Sequence, residues 1–243
     1  MALLEGSLYA ESLGMNTGIT ASIPGERRDE TGDMPVLYLL HGLSDDHTSW
    51  VRRTDIDRYA EEWGVAVIMP EVQRSFYCDM AYGLRYFTYI ADELPRLCQR
   101  LFRVSARRED SFVAGLSMGG YGAIKAALAR PERFAAAASF SGAVDVAARV
   151  ASHPDIFLAA CGGTLREQDD LFQLAEQTPV EKRPRLYMSC GDEDFLLEDN
   201  RRFSAHLDAL GWEHPLEIWP GTHDYHFWDE SVRRALAFFF EGR

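Results

Sequence analysis

The stretch Ser111-Phe112-Val113-Ala114-Gly115-Leu116-Ser117-Met118-Gly119-Gly120 decides the fold. An apolar run suited to a strand, Ser111 to Gly115, passes into a Gly-x-Ser-x-Gly pattern. A helix-forming run, Tyr121 to Arg130, follows at once. That order is the sequence form of a nucleophile elbow, in which a serine sits on a sharp, strained turn between strand and helix. The residues two before and two after the serine must lack side chains that would clash, which is what Gly115 and Gly119 supply. The following helix then aims its first N–H groups at developing negative charge. A glycine-rich connection whose serine merely caps the helix would share the pentapeptide. The strand before it and the helix after it favour the nucleophile.

Working outward, short apolar runs alternate with amphipathic helical stretches, as in a mostly parallel sheet covered on both faces. Val36–Leu40, Val65–Met69, Ala135–Phe140, Arg185–Ser189 and Pro215–Trp219 read as strands. Leu3 to Ile23 alternates around Gly14 and Gly18 and reads as an antiparallel hairpin at one sheet edge. A polar turn, Gly25 to Asp33, follows it. Helices are expected over Thr54–Trp63, Gly83–Phe102, Asn200–Leu210 and Asp229–Phe240. In the second of these, Phe87, Ile90, Leu94, Leu97 and Leu101 recur at steps of three and four, and Pro95 is expected to kink the helix. The pattern loses regularity from Val144 to Lys182. The expectation is an α/β-hydrolase fold in one domain, residues 1–243, with 144–182 as a cap-like or cleft-wall insertion.

A serine hydroxyl needs a base within hydrogen-bond reach. In this fold the base follows the last strand, giving the chain order Ser, Asp, His. Pro220-Gly221-Thr222-His223-Asp224-Tyr225-His226 occupies that place, and Gly221 gives His223 the freedom to turn toward the serine. His226 reads as a surface group. The acid should follow the strand Arg185–Ser189, where Asp192, Glu193 and Asp194 stand together. Asp194 borders Phe195-Leu196-Leu197 and can be partly buried, while Asp192 after Gly191 equally suits a turn. An oxyanion hole needs the Met118 N–H and a second donor from the loop His41-Gly42-Leu43-Ser44-Asp45-Asp46. Gly42 lets that loop present the Leu43 N–H. His41 comes too early in the chain to be the base and reads as a positioning residue.

Composition bounds the alternatives. With 243 residues, 47% of them hydrophobic and 26% charged, the chain can bury a sizeable core. Its net charge of −13 counts against nucleic acid or an anionic membrane as partner. The pair Arg27–Arg28 and the cluster Arg103, Arg107 and Arg108 read as solvated loop charge. No stretch reaches the length of a membrane span, and the N-terminus lacks the features of a signal peptide. Cys78, Cys98, Cys161 and Cys190 show neither metal-type spacing nor close pairing. The expectation is a cytoplasmic protein.

His41-Gly42-Leu43 with Trp50, Arg74-Ser75-Phe76-Tyr77 leading to Glu93-Leu94-Pro95, and Gly115 to Ala123 form an ordered set of motifs. Cys190 to Phe195 and Gly221-Thr222-His223-Asp224 complete it. The set resembles the esterase D-type family, and within it the tributyrin esterase-like branch. The resemblance implies a serine carboxylesterase that hydrolyses short acyl esters through an acyl-enzyme, without cofactor or metal. It implies Asp194 as the acid and Leu43 and Met118 as oxyanion donors. Tyr225 stands where many relatives carry tryptophan. His41, Trp50 and Tyr77 are expected to contact substrate, and Phe157, Leu158 and Phe172 to line an acyl pocket. The partner is a small-molecule ester, and a homo-oligomer is compatible with the sequence. S-formylglutathione (thioester) hydrolysis and feruloyl or acetyl-xylan ester hydrolysis are the alternatives within this chemistry. A non-catalytic binding protein is disfavoured by the intact serine, aspartate and histidine.

Overall fold

The apolar runs form one eight-stranded sheet in the computed structural model, which describes residues 1–25, 33–150 and 153–241. The Arg27–Arg28 pair and most of its polar turn lie outside the described residues. β1 (Ala2–Ala10) and β2 (Met15–Ile23) make the expected edge hairpin, turning at Gly14. Then come β3 (Val36–Leu40), α1 (Ser49–Arg53), α2 (Ile56–Trp63) and β4 (Ala66–Pro70). α3 (Tyr86–Thr88), a π turn (Tyr89–Glu93) and α4 (Leu94–Phe102) lead to β5 (Ser111–Leu116) and α5 (Met118–Ala129). β6 (Ala136–Phe140) is followed by α6 (Val146–Val150), α7 (Pro154–Cys161) and α8 (Leu171–Gln177). The chain closes with β7 (Arg185–Gly191), α9 (Leu197–Ala209), β8 (Leu216–Trp219) and α10 (Tyr225–Phe240).

The strand order is β1-β2-β4-β3-β5-β6-β7-β8, antiparallel as far as β2–β4 and parallel thereafter. Every residue of β3, β4, β5 and β6 is buried, which explains their unbroken apolar runs. Val36, Tyr38 and Leu40 enter the core layer that holds Leu94, Tyr121 and Phe203. Leu37 and Leu39 enter the opposite layer, against Trp50, Ile56 and Phe239. Because β3, β5, β7 and β8 run parallel, their carboxyl ends share one sheet edge. The loops there carry His41, Ser117, Asp194 and His223.

The helical stretch before β5 departs from expectation. Helical structure starts at Tyr86, and the Leu94 N–H bonds to the Tyr89 carbonyl, one residue further back than in an α-helix. The wide turn directly precedes Pro95, which has no N–H to offer the preceding turn. An inserted residue rotates the following face, so Cys98 is buried while Leu101 is 59% exposed. The seam therefore runs through Tyr86, Tyr89, Ile90, Leu94 and Cys98, and no longer through Leu97 and Leu101.

The irregular region after β6 consists of short helices and turns, tied to α5 by buried charge. Lys125 Nζ lies 2.5 Å from Asp169 Oδ1, with side chains 1% and 2% exposed. It also donates to the Tyr77 carbonyl at 3.0 Å, and Arg166 pairs with the other Asp169 oxygen. The Tyr121 hydroxyl donates to the Asp169 carbonyl at 2.7 Å.

Candidate active site

Ser117 stands between β5 and α5 at φ 53° and ψ −117°. A side-chain-bearing residue held there costs about 1–3 kcal/mol and persists only where its surroundings enforce it. Here the Ser117 N–H donates to the Phe140 carbonyl at 2.9 Å, and its own carbonyl accepts from the Ala143 N–H at 3.0 Å. The flanking glycines are sterically required. A β-carbon on Gly115 would lie 2.5 Å from the Gly119 carbonyl carbon, and one on Gly119 would lie 2.8 Å from the His41 carbonyl oxygen. The elbow is thus packed directly against the loop after β3.

His223 Nε2 lies 3.0 Å from Ser117 Oγ, and His223 Nδ1 lies 2.9 Å from Asp194 Oδ2. With a carboxylate facing Nδ1, the proton belongs on that nitrogen, and Nε2 is left to accept from the serine hydroxyl. Asp194 Oδ1 accepts from the Leu196 N–H at 2.8 Å. Burial pushes the Asp194 carboxyl up, but the hydrogen bond and charge of His223, with the Leu196 N–H, outweigh it and hold the group below its ordinary value. Asp192 instead accepts from the Gly221 N–H at 3.1 Å, joining the two loops that carry Asp194 and His223. His226 is exposed on α10. Asp224 caps that helix, accepting from the Phe227 N–H.

His41, Trp50 and Tyr77 do not contact the cleft, which corrects the expectation that they bind substrate. They are 1%, 0% and 1% exposed. Each instead bonds a backbone carbonyl at the end of β3 or in the loop that follows it. Trp50 Nε1 donates to the Leu40 carbonyl at 3.1 Å, the Tyr77 hydroxyl to the His41 carbonyl at 2.9 Å, and His41 Nδ1 to the Gly42 carbonyl at 2.7 Å. The His41 tautomer follows from its partners, since Nε2 accepts from the Val72 N–H at 3.1 Å. In a trans peptide the C=O and N–H point opposite ways. Holding the Gly42 carbonyl against His41 therefore turns the Leu43 N–H away from that ring. The Met118 N–H, first in α5, has no carbonyl one turn back within the helix.

Two recesses meet at Ser117. The larger, about 410 Å³, is bordered by Leu43, Arg53, His223, Tyr225 and Trp228. The smaller, about 100 Å³, is bordered by Phe76, Met118, Ala143, Arg149, His153 and Leu196. Phe195 borders both, is 67% exposed and lies 4.5 Å from the His223 ring. The expected lining residues fall elsewhere. Phe157 is buried behind Phe76, Leu158 is 54% exposed, and Phe172 packs on Phe203 and His206. Sequence reasoning missed Arg53, Arg149, His153 and Phe195 as cleft residues. Only Phe195, an aromatic beside the candidate acid, carried a local signal.

A mostly parallel sheet wound on both faces, with a strained serine turn at a strand's carboxyl end, defines an α/β-hydrolase. A hydroxyl, an imidazole and a carboxylate in hydrogen-bond sequence form one arrangement that can carry out acyl transfer. The chain belongs to the esterase family described as "Putative esterase", whose model matches residues 10–239. It is a carboxylic ester hydrolase. An acetyl esterase of Caldicellulosiruptor saccharolyticus is 28% identical over 259 residues, covering 97% of each chain. FphF, a fluorophosphonate-binding serine hydrolase of Staphylococcus aureus, is 35% identical with a TM-score of 0.90, covering 98% of each chain. A Staphylococcus aureus structure described as S-formylglutathione hydrolase (FrmB) is 34% identical with a TM-score of 0.88, again covering 98% of each.

Proposed function

We propose that the protein hydrolyses short-chain acyl esters through an acyl-enzyme on Ser117. The observation that carries this reading is the unbroken chain from Ser117 Oγ through the His223 ring to Asp194, with contacts of 3.0 and 2.9 Å. His223 takes the serine proton during attack on the ester carbonyl and returns it to the leaving alcohol. It then activates water for deacylation, while Asp194 stabilises the imidazolium. The Leu43 and Met118 N–H groups hold the oxyanion.

The two recesses divide the substrate. His223 must reach the leaving oxygen, so the alcohol occupies the larger recess, which His223 borders. The acyl chain then enters the smaller one, about 100 Å³ against about 410 Å³ for the larger. That size favours acetyl to butyryl groups over longer chains. The resemblance to an acetyl esterase supports the same reading. Arg149 and His153 border the acyl recess, which supports a cleft-wall role for the 144–182 region.

Thioester hydrolysis is the second reading, favoured by the 34% identity to the S-formylglutathione hydrolase structure. No described helix is long and apolar enough to cross a membrane, and all four cysteines are free and buried. The free thiols support a reducing, cytoplasmic setting.

Labelling with a fluorophosphonate probe tests the nucleophile: peptide mapping should place the adduct on Ser117. An adduct elsewhere, or none, would refute it. A p-nitrophenyl ester series from acetate to octanoate should show kcat/KM falling beyond butyrate, and an octanoate optimum would contradict the small acyl recess. S-formylglutathione against p-nitrophenyl acetate ranks the two readings. Tyr77→Phe removes the donor to the His41 carbonyl without touching substrate. It should lower kcat about tenfold with KM little changed, because a loosened oxyanion loop weakens only transition-state contacts. Steady-state kinetics would show otherwise if KM rose while kcat stayed constant.

A further inference from the structure

Asp45, Asp224 and Arg53 are the acids and the arginine that border the leaving-group recess, and their partners differ. Asp45 accepts from the Gly42 N–H at 3.3 Å and stabilises the oxyanion loop. Asp224 accepts from the Phe227 N–H at 3.1 Å and the Thr222 hydroxyl at 2.6 Å, at the start of α10. Both carboxylates are committed to nearby donors. The neighbouring Arg52 pairs with Asp46 at 3.3 Å. The Arg53 side chain takes no ion pair or hydrogen bond among the described residues. Its guanidinium carbon lies over the Tyr225 ring, 5.0 Å from the centroid.

Stacking orients a guanidinium but uses none of its N–H donors, so the rim of the planar fork stays available. The platform beneath is fixed. Tyr225 packs edge-on against Trp50 at 5.8 Å and against Trp228 at 5.0 Å, and Trp50 is itself bonded to the Leu40 carbonyl. Arg53 is therefore a positioned cation at the mouth of the recess that His223 borders. In a chain of net charge −13 that position matters, because the protein's overall field repels anionic substrates.

We propose that Arg53 recognises an anionic group, a carboxylate above all, on the leaving alcohol or thiol. The inference rests on the esterase reading and adds to it the class of leaving group. The planar fork matches a carboxylate with two parallel N–H···O contacts, which an ammonium could not provide. A neutral leaving group fits the same recess but gains nothing from Arg53.

Two aryl acetates of similar leaving ability test this, 4-chlorophenyl acetate and 4-carboxyphenyl acetate. Arg53→Gln should lower kcat/KM for the carboxylate ester about fivefold, mainly through KM, and change the neutral ester by less than about twofold, as befits a partly exposed pair. Arg53→Glu should lower the carboxylate ester further, and added salt should narrow the wild-type preference. The neutral ester reports that each variant is folded and active. A carboxylate-to-chloro ratio identical in wild type and Arg53→Gln, or an equal fall on both esters, would overturn the role of Arg53 and leave the esterase reading standing. Wild-type protein inert toward both esters and unlabelled at Ser117 would overturn the two together.

Discussion

Ser117→Ala is expected to lower kcat on p-nitrophenyl acetate about 10⁶-fold, and Asp194→Asn about 10⁴-fold, with the fold intact in both. The first figure follows from losing covalent catalysis altogether: only the oxyanion donors and substrate positioning remain. Alanine at position 117 keeps the backbone contacts to Phe140 and Ala143, so the elbow's strain is unchanged and the melting temperature should move little. The second figure follows from proton placement. An asparagine can present its NH₂ to His223 Nδ1, which favours the tautomer with the proton on Nε2. That nitrogen then faces the Ser117 hydroxyl as a donor and cannot accept its proton. The wild-type carboxyl is protected against the same failure. Burial raises it, but His223 and the Leu196 N–H outweigh burial and hold its pKa low. A depressed carboxyl contributes stability above its unfolded value of about 3.9, lost as pH falls through the lower folded value. Asp194 thus stays ionised throughout the neutral range. Kinetics on protein quantified by active-site titration, with an absorbance-melting control, check both figures. Ser117→Ala turning over at the wild-type rate would remove the basis of the mechanism.

How much of this was legible in the residues depended on how local each signal is. Ser117 could be read because strand, glycines and helix sit within one short stretch. His223 and Asp194 could be read because chain order fixes which sheet edge their loops share. The site's supporting structure was hidden for the opposite reason. Trp50, Tyr77 and His41 come from three separate segments and converge on successive carbonyls, and no spacing in the chain announces that convergence. Their family motifs marked them as important, and substrate contact was the wrong inference to draw from that. The Pro95 helix failed differently. Its period was real, but a single π turn rotated the face, and a turn of that kind has no sequence mark beyond the proline itself. The proposed role of Arg53 was unreadable because it turns on the absence of an acid partner among the described residues, which only the arrangement of its neighbours decides.

Lys125→Met is expected to lower the free energy of unfolding by about 3 kcal/mol at neutral pH, at the lower end of what removing one partner of a buried ion pair costs. The lysine lies in α5, whose other faces are apolar, so its charge can be buried there only with a partner. Removing it leaves Asp169 with Arg166, which is one-third exposed and reaches the other carboxylate oxygen. Burial pushes the Asp169 carboxyl up, yet Lys125 first and Arg166 second hold it below its ordinary value. Its stabilising contribution is therefore present above the unfolded pKa near about 3.9 and is lost as pH falls through the folded value. In the variant that carboxyl rises and takes up a proton sooner, so the deficit should be largest near neutrality and shrink toward acid. Urea titrations at neutral and acidic pH read this directly, and an equal deficit at both would assign the effect to packing alone. Asp169→Leu in the Lys125→Met background should recover part of the loss, since an apolar pair needs no desolvation. It should not recover full activity. Lys125 also donates to the Tyr77 carbonyl, and Tyr77 holds the His41 carbonyl in the loop proposed to supply an oxyanion donor. An apolar pair can fill the same volume but leaves that segment without its anchor, so the ion pair serves the position of the loop more than the stability of the fold.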